Sequence, residues 1–205
     1  MNMFSSTLYR ITEWITRFAY IHLLWILFTL SGFVIFGFFP STVAMFSIVR
    51  DWLRGKTDIP IFQTFWNYFK QEFKKSNLLG VFVYAVTLLI VLDFYFITSN
   101  TINRFTWINI PLFAFIFLFI LFLIYLFPTI AHYNMKPMQL IKNAFFIMLV
   151  SPIQSLLILL SLVSLYFIFK LLPALAFIFG GSVYAFITMW LCLHAFEKIE
   201  NKQAS

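Results

Sequence analysis

Residues 18–49 read FAYIHLLWILFTLSGFVIFGFFPSTVAMFSIV, and whether that run crosses a bilayer once or bends back on itself decides the topology of the chain. Its first part, Phe18–Phe39, contains no Asp, Glu, Lys or Arg. A helix needs roughly 20 apolar residues at about 1.5 Å rise each to span the hydrocarbon, so Phe18–Phe39 suffices as one span ending at Pro40. The alternative is a re-entrant hairpin turning around Gly32, Gly37 and Pro40. Against it, Pro40–Val49 makes only about 15 Å of helix, half a bilayer. A signal peptide is a further reading, since Arg10 and Arg17 precede the run and Thr42-Val43-Ala44 has small-x-small spacing. The apolar stretch exceeds the usual core of about 7–15 residues, which argues for a span.

Outward from this run, four more stretches are long enough to cross: 78–99, 105–127, 148–169 (within an apolar run that opens at Asn143) and 171–194. Asp93 is the one Asp, Glu, Lys or Arg inside them. Lys170 and Pro173 separate the last two, which predicts a tight helical hairpin, and Gly180, Gly181, Ser182 and Ala185 would let another helix approach closely. Composition agrees: 62% of residues are hydrophobic, 10% are charged, and mean hydropathy is +0.94. No soluble core of 205 residues hides that much apolar surface, with Phe alone occurring 30 times. The expected fold class is therefore all-α, a polytopic transmembrane bundle of five spans in a bacterial plasma membrane, forming a single domain over residues 1–205.

Orientation follows from Lys and Arg near the spans. With five spans, the segment after the first carries Arg50, Arg54, Lys56, Lys70, Lys74 and Lys75. Lys136, Lys142, Lys198 and Lys202 join it on one side, against Arg10, Arg17, Arg104 and Lys170 on the other. The C-terminus and long loop are then cytoplasmic and the N-terminus outside. The hairpin would move Arg10 and Arg17 inside, and charge counting slightly prefers it.

The loop at 40–77 predicts an interfacial amphipathic helix over about 60–75, with Asp58 and Pro60 placed as start signals. Phe62, Phe65, Trp66, Phe69 and Phe73 share one face, while Lys70, Lys74 and Lys75 join the polar one. Its expected partner is the bilayer itself, through the anionic cytoplasmic leaflet. A weak internal repeat pairs Phe39-Pro40-Ser41-Thr42-Val43-Ala44 with Phe127-Pro128-Thr129-Ile130-Ala131. Downstream, Gln63, Asn67 and Phe69 echo Gln139, Asn143 and Phe145. Proline just past a membrane helix is also common punctuation.

Several elements together carry a resemblance: Tyr9-Arg10-Ile11-Thr12-Glu13-Trp14, His22-Leu23-Leu24-Trp25, Gly37-Phe38-Phe39-Pro40 with Thr42 and Ala44, Arg50-Asp51-Trp52, and Phe65-Trp66 with Phe69-Lys70. In these the chain resembles the YesL-like bacterial membrane proteins, a domain family of unknown function. Members tend to be encoded beside carbohydrate-uptake genes, so the resemblance implies an accessory role in sugar import. It implies no catalytic residues.

Ionisable groups inside membrane segments are the remaining candidates, because they are costly there. In the five-span layout His22, Asp93 and Lys170 gather at one depth near the outer face, either as a structural ion pair or as a solute- or proton-binding cluster. Arg10, Glu13 and Arg17 lie on one helix face and can bridge along it. His132 and His194 lack metal-ligand spacing, and Cys192 sits in an apolar run. No phosphate loop, paired-carboxylate site or nucleophile elbow occurs, so neither an enzyme nor a cofactor is expected. The net charge of +7 is distributed along membrane flanks and suits lipid better than nucleic acid. The expected activity is that of an accessory or regulatory component with a carbohydrate transporter or sensor subunit as partner. The alternative is a small-solute transporter or channel using the outer polar cluster.

Overall fold

The computed structural model describes residues 3–99 and 110–204. Among the described residues it contains seven helices and no strand: α1 (Met3–Ser31), α2 (Ile35–Leu53), α3 (Ile61–Ser99), α4 (Ile110–His132), α5 (Pro137–Val150), α6 (Pro152–Leu171) and α7 (Pro173–Ala204). Five of them are long and apolar enough to cross a membrane, the number expected: Leu8–Ser31 in α1, Ile61–Ile97 in α3, α4, α6, and Pro173–Glu200 in α7. The chain is a multi-pass helical membrane protein.

The opening run is a hairpin, and the reading of Phe18–Phe39 as one continuous span is corrected. Helix α1 stops at Ser31 and α2 begins at Ile35, running back against it. The turn closes with Val34 N–H donating to Thr29 O (3.0 Å) and Gly37 N–H to Gly32 O (3.1 Å). It needs two glycines, because a Cβ on Gly37 would lie 2.4 Å from Thr29 O and one on Gly32 2.4 Å from the Gly37 Cα. Phe33 and Val34 both take positive φ (53° and 64°), a region that side chains disfavour.

Helix α2 is the axis of the bundle and packs on α1, α3, α4 and α7. Val43, Ala44, Phe46, Ile48 and Val49 along it are fully buried. Because protein rather than lipid surrounds it, α2 tolerates Ser41, Thr42, Ser47 and Pro40, which a lipid-facing span would not carry together. The gap left by the missing Pro40 N–H is flanked by hydroxyls: Ser41 donates to Gly37 O and Thr42 to Phe38 O. Pro128 likewise lies inside α4, so neither proline ends a span. The repeated Phe-Pro pairs meet in the core, with the Phe39 and Phe127 rings 5.5 Å apart. Lipid tails are as apolar as phenylalanine, so such contacts hold by close packing rather than water expulsion. Phe46 stacks on Phe127 at 6.0 Å and meets the Tyr184 edge at 6.1 Å, pairs that contribute about 0.5–1.5 kcal/mol each.

Two further boundaries move. The interfacial helix is no separate element: it runs into the following span as α3, because Lys74-Lys75-Ser76-Asn77 contains no breaker and Ser76 Oγ donates to Glu72 O (2.7 Å). The fourth run is cut at Ser151, whose backbone leaves the helical region (φ −120°, ψ 58°) ahead of Pro152, a proline disfavouring helical backbone in the residue before it. Tyr125 OH occupies that break, 3.4 Å from Ser151 O and 3.0 Å from Ser155 Oγ. Residues 105–109 of the third run lie outside the described residues.

Contacts between elements fix the ends. Helix α3 returns antiparallel to α2, with Tyr84 OH on Ile35 O and Tyr68 beside Asp51. The starts of α1 and α3, the ends of α2, α4 and α7, and the start of α5 gather at one end, the polar end. The turn at 32–34 and Leu172, between α6 and α7, mark the opposite, apolar end.

Candidate functional site

The densest set of charged side chains lies where α2 reaches the polar end. Arg50 and Asp51 are neighbours in sequence, an arrangement that normally points two helix side chains apart. Here both are drawn toward Tyr68 of α3. Asp51, 7% exposed, accepts at Oδ1 from Arg50 Nη2 (2.9 Å) and Nε (3.2 Å), and at Oδ2 from Tyr68 OH (2.6 Å). Arg50 Nη2 also reaches Tyr68 OH (3.2 Å), and Nη1 donates to the Ala131 carbonyl. That carbonyl is among the last four of α4, which have no partner within their own helix. One guanidinium and one carboxylate thus bind α2, α3 and α4 together.

The network continues to α7. Arg54 Nη2 lies 3.5 Å from His132 Nδ1, and His132 Nε2 lies 3.5 Å from Glu200 Oε1. A guanidinium can only donate, so Nδ1 is the acceptor and the ring proton sits on Nε2, toward the carboxylate. Tyr133 OH donates to the same Glu200 oxygen (3.1 Å). Burial, and then the neighbouring Glu200 charge, push the Tyr133 phenol above its ordinary range, so it remains a donor. A third fastening ties α1 to the 54–60 connection: Arg17 donates to Thr57 O (2.7 Å) while paired with Glu13 at 2.5 Å. Trp14 and Phe18 meet the Trp52 ring at 5.6 and 5.9 Å.

Chemically this is a clamp. Both Asp51 oxygens are engaged by donors from its own helix and from α3, so the carboxylate is occupied in joining helices. Among the described residues, no group of three or more His, Cys, Asp or Glu is placed to hold a metal.

The residues singled out in the sequence are separated. His22 is buried against α7, its Nδ1 accepting the Gly181 N–H at 3.2 Å and its ring stacked on Trp25 at 5.5 Å. Trp25 Nε1 in turn donates to Thr42 Oγ1 of α2 (3.0 Å). Asp93 and Lys170 are exposed, on α3 and α6, which share no extensive interface, and among the described residues neither forms an ion pair. The three therefore do not form a cluster. In the amphipathic stretch, Phe65 and Phe69 enter the core around the Phe28 ring (5.1 and 5.0 Å), while Phe62, Trp66 and Phe73 stay partly exposed. Lys70 lies over Trp66 at 5.1 Å and Lys74 is exposed. Sequence reasoning missed the clamp, though Arg50-Asp51-Trp52 stood out as a shared element. The usable signal was an Arg-Asp pair closing an apolar run.

Fold and clamp together define a class: polytopic helical membrane proteins with an inner helix sheathed by longer apolar ones and charged groups locked at one end. Comparison with known proteins gives its family. A family model described as a protein of unknown function, DUF624, matches residues 18–94, a stretch that includes the α1–α2 turn, Arg50, Asp51 and Tyr68. The chain is 34% identical over 194 residues to the uncharacterized protein YteU of Bacillus subtilis (strain 168), covering 94% of this chain and 86% of that one. It is 32% identical over 194 residues to YesL of the same organism (93% and 90% covered), and 30% identical over 200 residues to YesV (96% and 94%). The chain belongs to this YesL-like DUF624 family. No solved structure matches it.

Proposed function

We propose that the protein is a non-enzymatic accessory or regulatory subunit of the bacterial plasma membrane, acting beside a carbohydrate transporter or sensor. The observation that supports this reading is the disposition of its ionisable groups. Those gathered together are engaged in holding helices, as Asp51 is by Arg50 and Tyr68, while Asp93 and Lys170 stand apart on different helices. A transporter of polar solutes needs convergent polar ligands near the midplane. Here the axial helix presents Val43, Ala44, Phe46 and Ile48 to its neighbours, all fully buried, and its buried hydroxyls Ser41, Thr42 and Ser47 each donate to a carbonyl of α2 itself. The carbohydrate link rests on the family resemblance. Isolation of the full chain from its host in mild detergent tests the reading. A transporter permease or sensor subunit should accompany it; a strictly monomeric protein whose loss leaves sugar uptake unchanged overturns it, as does solute flux through the reconstituted protein.

The same reading places the polar end in the cytoplasm. With the hairpin, Arg10, Arg17, Arg50, Arg54, Lys56, Lys70, Lys74, Lys75, Lys136, Lys142, Lys198 and Lys202 lie on or near that side, leaving Lys170 among the described residues for the other. Cysteines introduced at Thr7 and Asp58 should both be labelled from the cytoplasm. Labelling from opposite sides would restore a single crossing in place of the hairpin.

A further inference from the structure

Helices α3 and α5 run beside each other with few contacts, and the groove between them changes chemistry along its length. At the polar end its mouth is a cavity of about 610 Å³ edged by Lys74 and Lys75 of α3 and by Lys136 and Gln139 at the start of α5. Further along the same two helices, Phe82 follows Leu78 by one turn, and Ile141 and Phe145 follow Gln139. There a second cavity of about 350 Å³ is walled by Phe82, Val86, Phe119, Phe122, Ile141 and Phe145, with almost no polar surface. Lys75 is paired with Glu72 at 3.2 Å, but among the described residues Lys74 and Lys136 have no carboxylate partner. Lys136 precedes the first turn of α5, whose partial positive charge adds to theirs.

We propose that this groove binds one acidic phospholipid, its phosphate headgroup held by Lys74 and Lys136 and part of one acyl chain lying in the aromatic slot. The order of the two cavities matches the order of charge and hydrocarbon in a lipid entering from the leaflet at the polar end. Basic pockets between membrane helices recognise acidic headgroups in this way. A zwitterionic headgroup would bring its own cation against the lysines. A free phosphate compound satisfies the mouth but leaves the apolar slot empty, so the slot selects a lipid. This extends the general attraction of a basic face for an anionic leaflet to a defined site with a defined occupant, and it is independent of any transporter partner.

Native mass spectrometry of the full chain in detergent, titrated with phosphatidylglycerol or with phosphatidylcholine of identical chains, tests the proposal. One phosphatidylglycerol should be retained in preference to phosphatidylcholine. Lys74→Gln and Lys136→Gln should each weaken it about fivefold. Lys56→Gln, which removes an exposed cation lining neither cavity, should change little. Ile141→Trp, which fills the slot, should weaken both lipids, and glycerol phosphate at equal concentration should not displace the bound lipid. Equal retention of the two lipids overturns the proposal, as does a loss from Lys56→Gln as large as that from Lys136→Gln. Displacement by glycerol phosphate would mark the mouth as a site for a soluble phosphate compound and overturn the assignment to lipid.

Discussion

Where α2 leaves the bundle, Arg50 and Asp51 reach Tyr68 and Ala131 on two other helices; where α2 enters it, at Gly32–Val34, the connection is backbone alone. The polar end is joined by long side chains acting over 81 residues of sequence, as between Arg50 and Ala131. The apolar end is joined by two abrupt reversals, at 32–34 and at Leu172, and its side chains face outward: Phe33 is 87% exposed and Leu171 80%. The difference follows from the surroundings each end can use. A cluster of charges needs mutual pairing or water, and both are available at the polar end. An end without a cluster of charges can still order its helices if the turn itself has little freedom. Breaking the two kinds of joint should therefore have different consequences.

The largest effect is expected at the clamp. Asp51→Leu leaves the part-buried Arg50 guanidinium without its carboxylate, a loss of about 3 kcal/mol, the lower end for a broken buried pair. Thermal unfolding in detergent measures it. Combining Asp51→Leu with Arg50→Met removes both charges and should restore much of the stability. If the double variant is worse than the single one, the pair is not the source of the effect.

At the other end, Gly37→Leu drives side-chain atoms into the Thr29 carbonyl, which would lie 2.4 Å from the new Cβ. The expected cost is about 3 kcal/mol, the upper range for overpacking, with the α1–α2 reversal as the part that opens. The readout is accessibility of a cysteine placed at Phe36. Unchanged labelling would mean that the turn does not depend on close approach.

These joints also explain what could be read from the chain. The long apolar helices were legible because the bilayer demands both length and apolarity, and the runs ending at Ser99, Phe127 and His194 meet that demand by composition alone. Helix α2 was not, since shelter by other helices lets it carry Pro40, Ser41, Thr42, Arg50 and Asp51, and those residues make it look like a loop. The turn was only partly visible: Gly32 and Gly37 marked where a hairpin could bend, but Phe33 and Val34, which adopt positive φ against their own preferences, gave no sign of it. Arg50 was legible as a topogenic cation but not as a clamp, because its partners lie 18 and 81 residues away. His22 was visible as a polar side chain in an apolar run, but nothing local to it points to the Gly181 amide, 159 residues distant.

His22 lies between the two ends, and its replacement should have an intermediate effect. His22→Leu removes the acceptor for the Gly181 N–H and the stacking surface of Trp25. About 1–2 kcal/mol is expected, the cost of leaving one buried donor unsatisfied. Gly181→Ala should lose a similar amount by a different route, since its Cβ would lie 2.9 Å from His22 Nδ1. If the contact is shared, the double variant loses less than the two single losses added together, and strict additivity would show that the two residues act independently.

The smallest change has the opposite sign. Val34 is β-branched and holds φ at 64°, a conformation its side chain resists and glycine adopts freely. Val34 is also half exposed, so removing its side chain empties no core. Val34→Gly relieves the strain while adding chain freedom to the unfolded state, and the balance should favour the folded hairpin by about 0.5–1 kcal/mol, within the range set for such strain. Thermal unfolding in detergent, compared with Val91→Gly in the exposed wall of α3, separates the two terms. The α3 substitution has only the unfavourable one and should destabilise by about 1 kcal/mol. If both variants lose stability alike, the apolar end is not strained, and the contrast between its backbone joint and the polar clamp would rest on Gly32 and Gly37 alone.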